Sequence, residues 1–93
     1  MQQIIVETFW GVGEKSRNAV RVRPLKVQDY STELRVSFPV ELRDANPVGS
    51  LFKAWVTLTE CSGTPFLRAS PRHAIEVVTW EQAHAFIQEN YAS

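Results

Sequence analysis

The chain has 93 residues, 10 Lys+Arg against 10 Asp+Glu, and 44% hydrophobic residues, the proportions of a single soluble globular domain. That balance excludes a disordered tail and a collagen-like or mucin-like segment, and it lacks the basic excess of a dedicated nucleic-acid binder. Cys61 is the only cysteine, so no intrachain disulfide and no cysteine-based zinc site can form, and a reducing compartment is expected. The first residues, Met1-Gln2-Gln3-Ile4-Ile5-Val6, carry no basic segment ahead of their short apolar run. No stretch approaches the roughly 18 apolar residues of a spanning helix. Neither a signal peptide nor a membrane anchor is expected, and the chain reads as a bacterial-type cytoplasmic protein.

In chain order, residues 4–10 read as a first strand with apolar side chains on both faces. Gly11-Val12-Gly13-Glu14-Lys15-Ser16 follows it. A Walker loop needs Gly-Lys-Ser/Thr in direct succession and then a helix. Here Glu14 separates Gly13 from Lys15 and a strand follows, so a plain turn is expected. Residues 19–23 put Val20 and Val22 inward and Arg21 and Arg23 toward solvent, the arginines pairing across the strand with Glu33 or Glu60. In residues 33–38, Leu34, Val36 and Phe38 alternate with Glu33, Arg35 and Ser37, the pattern of a half-buried strand. After Phe38, residues 39–45 are compatible with a short helical turn that Asn46-Pro47 would stop.

Residues 51–60 alternate over a longer span, with Phe52, Ala54, Val56 and Leu58 on one face and Lys53, Trp55, Thr57 and Thr59 on the other. This predicts a central strand. Cys61-Ser62-Gly63-Thr64 turns the chain, with Gly63 able to take positive φ, so that residues 65–69 return antiparallel. A short strand over 75–78 precedes the clearest helix, residues 80–91, with Thr79 as N-cap and Gln82 at the capping-box position. Trp80, Ala83, Ile87 and Tyr91 share one helical face, with His84 and Phe86 on its flanks, and that face needs a sheet to cover. If the helix packs on the Trp55 side, the Phe52/Val56 side must close on itself or meet a second chain. The in-phase positions Leu34, Val36, Phe38, Phe52, Ala54, Val56, Leu58, Ala83 and Ile87 form the predicted core.

Signals for chemistry are sparse. His73 and His84 have no ligand or triad spacing, and read as a solvated loop residue and a helix-flank residue packing partly on the core. No metal site, cofactor or catalytic residue is expected. Cys61 reads as a small apolar or surface residue. Charge is segregated: residues 15–26 hold Lys15, Arg17, Arg21, Arg23 and Lys26 without an acid, whereas residues 73–93 hold Glu76, Glu81 and Glu89 without a Lys or Arg. Arg21, Arg23 and Lys26, with Lys53 and an exposed Trp55, form the candidate binding set. Trp10 and Trp55 are the candidate interface anchors.

The runs Arg21-Val22-Arg23-Pro24-Leu25, Pro47-Val48-Gly49-Ser50-Leu51-Phe52 and Gly63-Thr64-Pro65-Phe66-Leu67 resemble those of small bacterial proteins of unknown function, including proteins carried on mobile elements such as integron gene cassettes. The resemblance spans about half of the chain. It implies a compact α+β or barrel-like unit and no activity.

The expectation is one α+β domain over residues 1–93: a bent antiparallel sheet of five or six strands, open or closed into a small barrel, with a short helical turn after Phe38 and a C-terminal helix. Functionally it reads as a non-enzymatic binding or adaptor protein that self-associates or meets a protein partner. The alternative is a nucleic-acid-binding accessory protein using the basic strand.

Overall fold

The computed structural model describes residues 1–11 and 20–91, and all but the side chain of Cys61 within them. The loop read at residues 11–16, with Lys15 and Arg17, therefore lies outside the described residues, as does the reading of the Cys61 side chain. The described elements are β1 (Gln2–Trp10), β2 (Val20–Pro24), β3 (Val36–Ser37), α1 (Val40–Ala45), β4 (Leu51–Cys61), β5 (Thr64–Ala69), β6 (Glu76–Val78) and α2 (Trp80–Asn90). The strands form one sheet in the order β2-β1-β4-β5-β3, with β6 also paired to β4.

β4 is the centre of this sheet, and its partners change along its length. Its residues 51–56 pair antiparallel with β1, from Glu7↔Leu51 to Gln2↔Val56. Its residues 56–61 pair with β5, from Val56↔Ala69 to Cys61↔Thr64. The outer strands are staggered in the same way: β2 pairs with residues 6–10 of β1, and β3 pairs with Leu67 and Arg68 of β5. A sheet built with such offsets coils, and its two ends, β2 and β3, approach one another. The result is a nearly closed barrel.

Closure buries one face of β1 to β5, whereas β6 buries no side chain fully. Ile4, Val6, Val22, Val36, Phe52, Ala54, Val56 and Leu67 form the interior, with Leu34, Phe38 and Leu42 half-buried against it. The opposite face is covered at one place by α2, where Ile5, Leu51 and Ala83 are buried together beside Leu25, Phe86 and half-buried Ile87. The helix thus lies on the Trp55 side and the Phe52/Val56 side closes on itself. The first strand is apolar on both faces for this reason: Ile4 and Val6 point into the barrel, and Ile5 lies under the helix.

Local chemistry sets the boundaries. Ser62 and Gly63 have φ of 52° and 81°, a two-residue turn whose twist matches its flanking strands. Thr79 accepts from the Gln82 amide while the Gln82 side chain accepts from the Thr79 amide, so both halves of the capping box form. Asn46, extended, ends α1. At the other end of α2, the Tyr91 hydroxyl donates to the Gln3 carbonyl at 2.6 Å and ties the helix to β1.

Five expectations need correction. The strand over residues 33–38 shrinks to Val36–Ser37, because the Ser31 carbonyl and hydroxyl take the Leu34 and Glu33 amides and hold residues 31–34 in a turn. That short strand runs parallel to β5, so the sheet is mixed rather than wholly antiparallel. Leu58 has the inward phase yet is 53% exposed, because β1 ends beside Val56 and nothing described covers β4 beyond it. Trp80, expected on the buried helix face, is 69% exposed; it is the first helical residue and projects past the Ile5–Leu51–Ala83 contact, and His84 is exposed as well.

Replacing Phe52 by Ala should cost about 3–5 kcal/mol by urea denaturation, and Leu58→Ala about 0.5 kcal/mol or less, since only the first leaves a cavity. The Tyr91 pKa is raised above 10.0 by burial first, then by Asp29 and Tyr30. A raised folded-state pKa favours the folded protein wherever the phenol is protonated, so this contribution is complete below pH 10 and declines as pH rises through the folded value. Tyr91→Phe should remove that alkaline decline and, at neutral pH, cost about 0.5–1.5 kcal/mol for the lost hydrogen bond.

Candidate functional site

Where β2 and β3 approach without pairing, a cleft of about 570 Å³ remains. Ligand pockets fall in the range of about 300–1,000 Å³. β2 contributes Arg21 and Val22, the segment entering and leaving β3 contributes Glu33, Arg35, Val36, Ser37 and Phe38, α1 contributes Arg43, and β5 contributes Thr64, Pro65 and Phe66. Each is placed by the fold. Arg21 is held opposite Phe9 in the β1–β2 ladder. Arg35 is fixed by its carbonyl, which accepts from the Leu67 amide at 2.8 Å. Phe38 rests on the core, its ring 4.9 Å from that of Phe52.

Three arginines and one glutamate therefore converge on a cleft with aromatic walls. Arg43 is largely buried, and its Nε lies 3.7 Å from Asp44 Oδ1 without a hydrogen bond among the described residues. Asp44 is itself exposed, so the pair neutralises Arg43 only weakly. Planar guanidinium groups present paired N–H donors to carboxylate, sulfonate and phosphate oxygens, and Phe38 and Phe66 offer an apolar surface beside them.

The residues singled out from sequence do not meet at one place. Arg21 lines the cleft and is half-buried rather than projecting freely into solvent. Arg23 is also half-buried; its Nε lies 2.8 Å from Glu7 Oε1, directly across the ladder, and its guanidinium stacks 4.1 Å over the Phe9 ring. Glu7, not Glu33 or Glu60, is thus its partner. Lys26 is exposed at the rim of a second groove, between α2 and residues 25–27. Lys53 pairs with Glu76 at 3.5 Å, and its ammonium lies 5.6 Å from the Phe86 ring. Trp55 is half-buried with His73 tilted over it at 5.5 Å. Trp10 is 62% exposed at the end of β1. Sequence reading missed Arg35 and Arg43, which lie on the approach to β3 and on α1, outside the basic run at residues 15–26; their one signal was basic side chains on segments with an apolar opposite face.

The loop after β5 brings Ser70 Oγ within 3.0 Å of His73 Nδ1. Ser70 Oγ also accepts from the Arg72 amide at 3.3 Å, which makes the contact part of a local turn. Among the described residues no carboxylate is hydrogen-bonded to the His73 ring, no group of metal-ligating side chains converges, and no helix is long and apolar enough to cross a membrane.

The second groove, about 510 Å³, is lined by Leu25, Val27, Trp80, His84 and Ile87, with the Arg23–Glu7 pair at one side. Val27 there has φ of 70°, an unusual conformation for a β-branched residue, and is 66% exposed. The neighbouring Gln28 imposes it: its side-chain amide exchanges hydrogen bonds with the Ile5 amide and carbonyl at 2.7 and 2.9 Å, standing in for a further strand residue. No family model, curated protein or solved structure matches the chain.

Val27→Gly should raise stability by about 1 kcal/mol, the relieved backbone strain exceeding the entropy cost of glycine. Gln28→Leu should lower it by about 1–3 kcal/mol by leaving the Ile5 amide unsatisfied. Urea denaturation of both variants checks the pair.

Proposed function

We propose that this protein is a non-enzymatic binding module whose ligand seat is the cleft between β2 and β3, and that its ligand is a small organic anion with a flat apolar body. The observation that carries this reading is the convergence of Arg21, Arg35 and Arg43 on a cleft that also presents Phe38 and Phe66. Net charge is zero, so attraction is local to the cleft and the module does not draw anions from a distance. The resemblance to small cassette-borne proteins is compatible with this role and assigns no activity of its own.

A second reading, single-stranded nucleic acid, is favoured by one observation: a smaller cleft lined by Phe9, Arg21, Arg23 and Arg35 adjoins the first and shares Arg21 and Arg35 with it. Together they form a cationic tract with aromatic rings on both sides. Such tracts hold a strand by phosphate contact and base stacking.

Calorimetric titration with 8-anilinonaphthalene-1-sulfonate and with uncharged N-phenyl-1-naphthylamine tests the first reading. The sulfonate should bind, the neutral analogue should bind at least tenfold more weakly, and the double substitution Arg35→Gln and Arg43→Gln should abolish the difference while the circular dichroism spectrum is kept. Equal binding of the two probes, or no effect of the substitutions, would contradict it. An oligothymidylate titrated at several salt concentrations distinguishes the second: about three phosphate contacts give a log–log slope near −2 at ~0.7 counterion each.

A further inference from the structure

Beyond Val56, β4 has a neighbour on one side only among the described residues. Its residues 57–61 pair with β5, and among the described residues nothing pairs with their other edge, the β1 ladder reaching no further than Gln2 beside Val56. Which backbone groups are left open follows from the ladder. The Trp55 carbonyl accepts from the Ser70 amide at 2.8 Å, on the β5 side, whereas the Ser50 carbonyl accepts from the Thr8 amide at 3.1 Å, on the β1 side. Alternation then turns the N–H and C=O groups of Leu58 and Glu60 toward the open edge. Leu58 adds an exposed apolar side chain there.

We propose that this edge is the surface through which two copies of the chain associate, strand to strand, about a twofold axis. A twofold antiparallel pairing is self-complementary here. Leu58 opposite Glu60 of the partner subunit, and the reciprocal pair, give four backbone hydrogen bonds, and Thr59 faces Thr59 of the partner subunit on the axis. The register is selected from both directions. Sliding two residues toward the turn sets Glu60 against Glu60 of the partner subunit, a like-charge pair that destabilises a sheet. Sliding two residues the other way meets Gln2, which already occupies the position beside Val56. The contact is shorter than a standard interface of about 1,200–2,000 Å², so association belongs at high micromolar rather than nanomolar concentration. The ligand cleft, on the β5 side of this hairpin, stays open in the pair, so this inference does not depend on the proposed ligand.

Sedimentation from low to high micromolar concentration should show the mass rise from 10.6 kDa toward twice that value. Leu58→Pro removes an N–H that faces the open edge and no ladder bond to β5, a position where proline is tolerated, so this variant should stay folded and monomeric. Thr59→Cys in a Cys61→Ser background should cross-link on oxidation, because facing residues in a non-hydrogen-bonded pair lie about 4.5 Å apart at Cα, within disulfide reach. Thr57→Cys in the same background should not, since it faces position 61 of the partner. A chain that remains monomeric throughout, a dimer that survives Leu58→Pro, or equal cross-linking at positions 57 and 59 would overturn the proposal. If Leu58→Pro fails to fold, the cysteine pair decides.

Discussion

The architecture depends on the change of partners along β4. One strand of eleven residues is shared between β1 over its first half and β5 over its second, with Val56 the position where both ladders meet. Strands arranged with such a stagger bring the two ends of the sheet around toward one another, and the interior of Ile4, Val6, Phe52, Ala54, Val56 and Leu67 is what the coiling encloses. Two further features follow from the same offset. β2 and β3 approach without pairing, which leaves the arginine-walled cleft, and the β1 ladder stops short of Thr57, which leaves that edge of β4 open among the described residues.

Those two features lie on opposite sides of the β4–β5 hairpin. The cleft uses Thr64, Pro65 and Phe66 on the β5 side, and the open edge uses Leu58 and Glu60 on the other. A molecule that binds an anion at the cleft while pairing at the edge would present two equivalent seats. Three of the basic side chains differ in their partners: Arg23 and Lys53 are engaged by Glu7 and Glu76, while among the described residues Arg43 has exposed Asp44 beside it at 3.7 Å. The exposed carboxylate offsets the Arg43 charge only weakly, and Glu33 is the acid among the residues that line the cleft.

Much of the fold is legible in the sequence because it is written in local chemistry. The alternation at residues 51–60, the Ser62-Gly63 turn, the Thr79/Gln82 capping box and the stop at Asn46-Pro47 all act over a few residues, and each appears where those residues require it. Alternation also fixes which face a side chain takes, yet it cannot say whether a neighbouring strand reaches far enough to cover it. Leu58 has the right phase and lies in the open for that reason, and Trp80 fails in the same way on the helix. The turn at residues 31–34 was hidden because Glu33-Leu34-Arg35 alternates as well as any strand does, while the Ser31 side chain and carbonyl capture its first amides. The site is the least legible part. A run of bases close in sequence drew attention to Arg21, Arg23 and Lys26, but the cleft is assembled from β2, the segment around β3, and α1, and only the closing of the sheet brings Arg21, Arg35 and Arg43 together.

Amide hydrogen exchange along β4 in dilute solution tests the partner change most directly. Phe52, Ala54 and Val56, turned toward β1, and Thr57 and Thr59, turned toward β5, should be protected, whereas Leu58 and Glu60 should exchange at rates close to those of an open chain. Protection of Leu58 and Glu60 equal to that of Val56 in the monomer would mean that another segment covers this edge, and the stagger from which the cleft and the open edge both follow would be wrong.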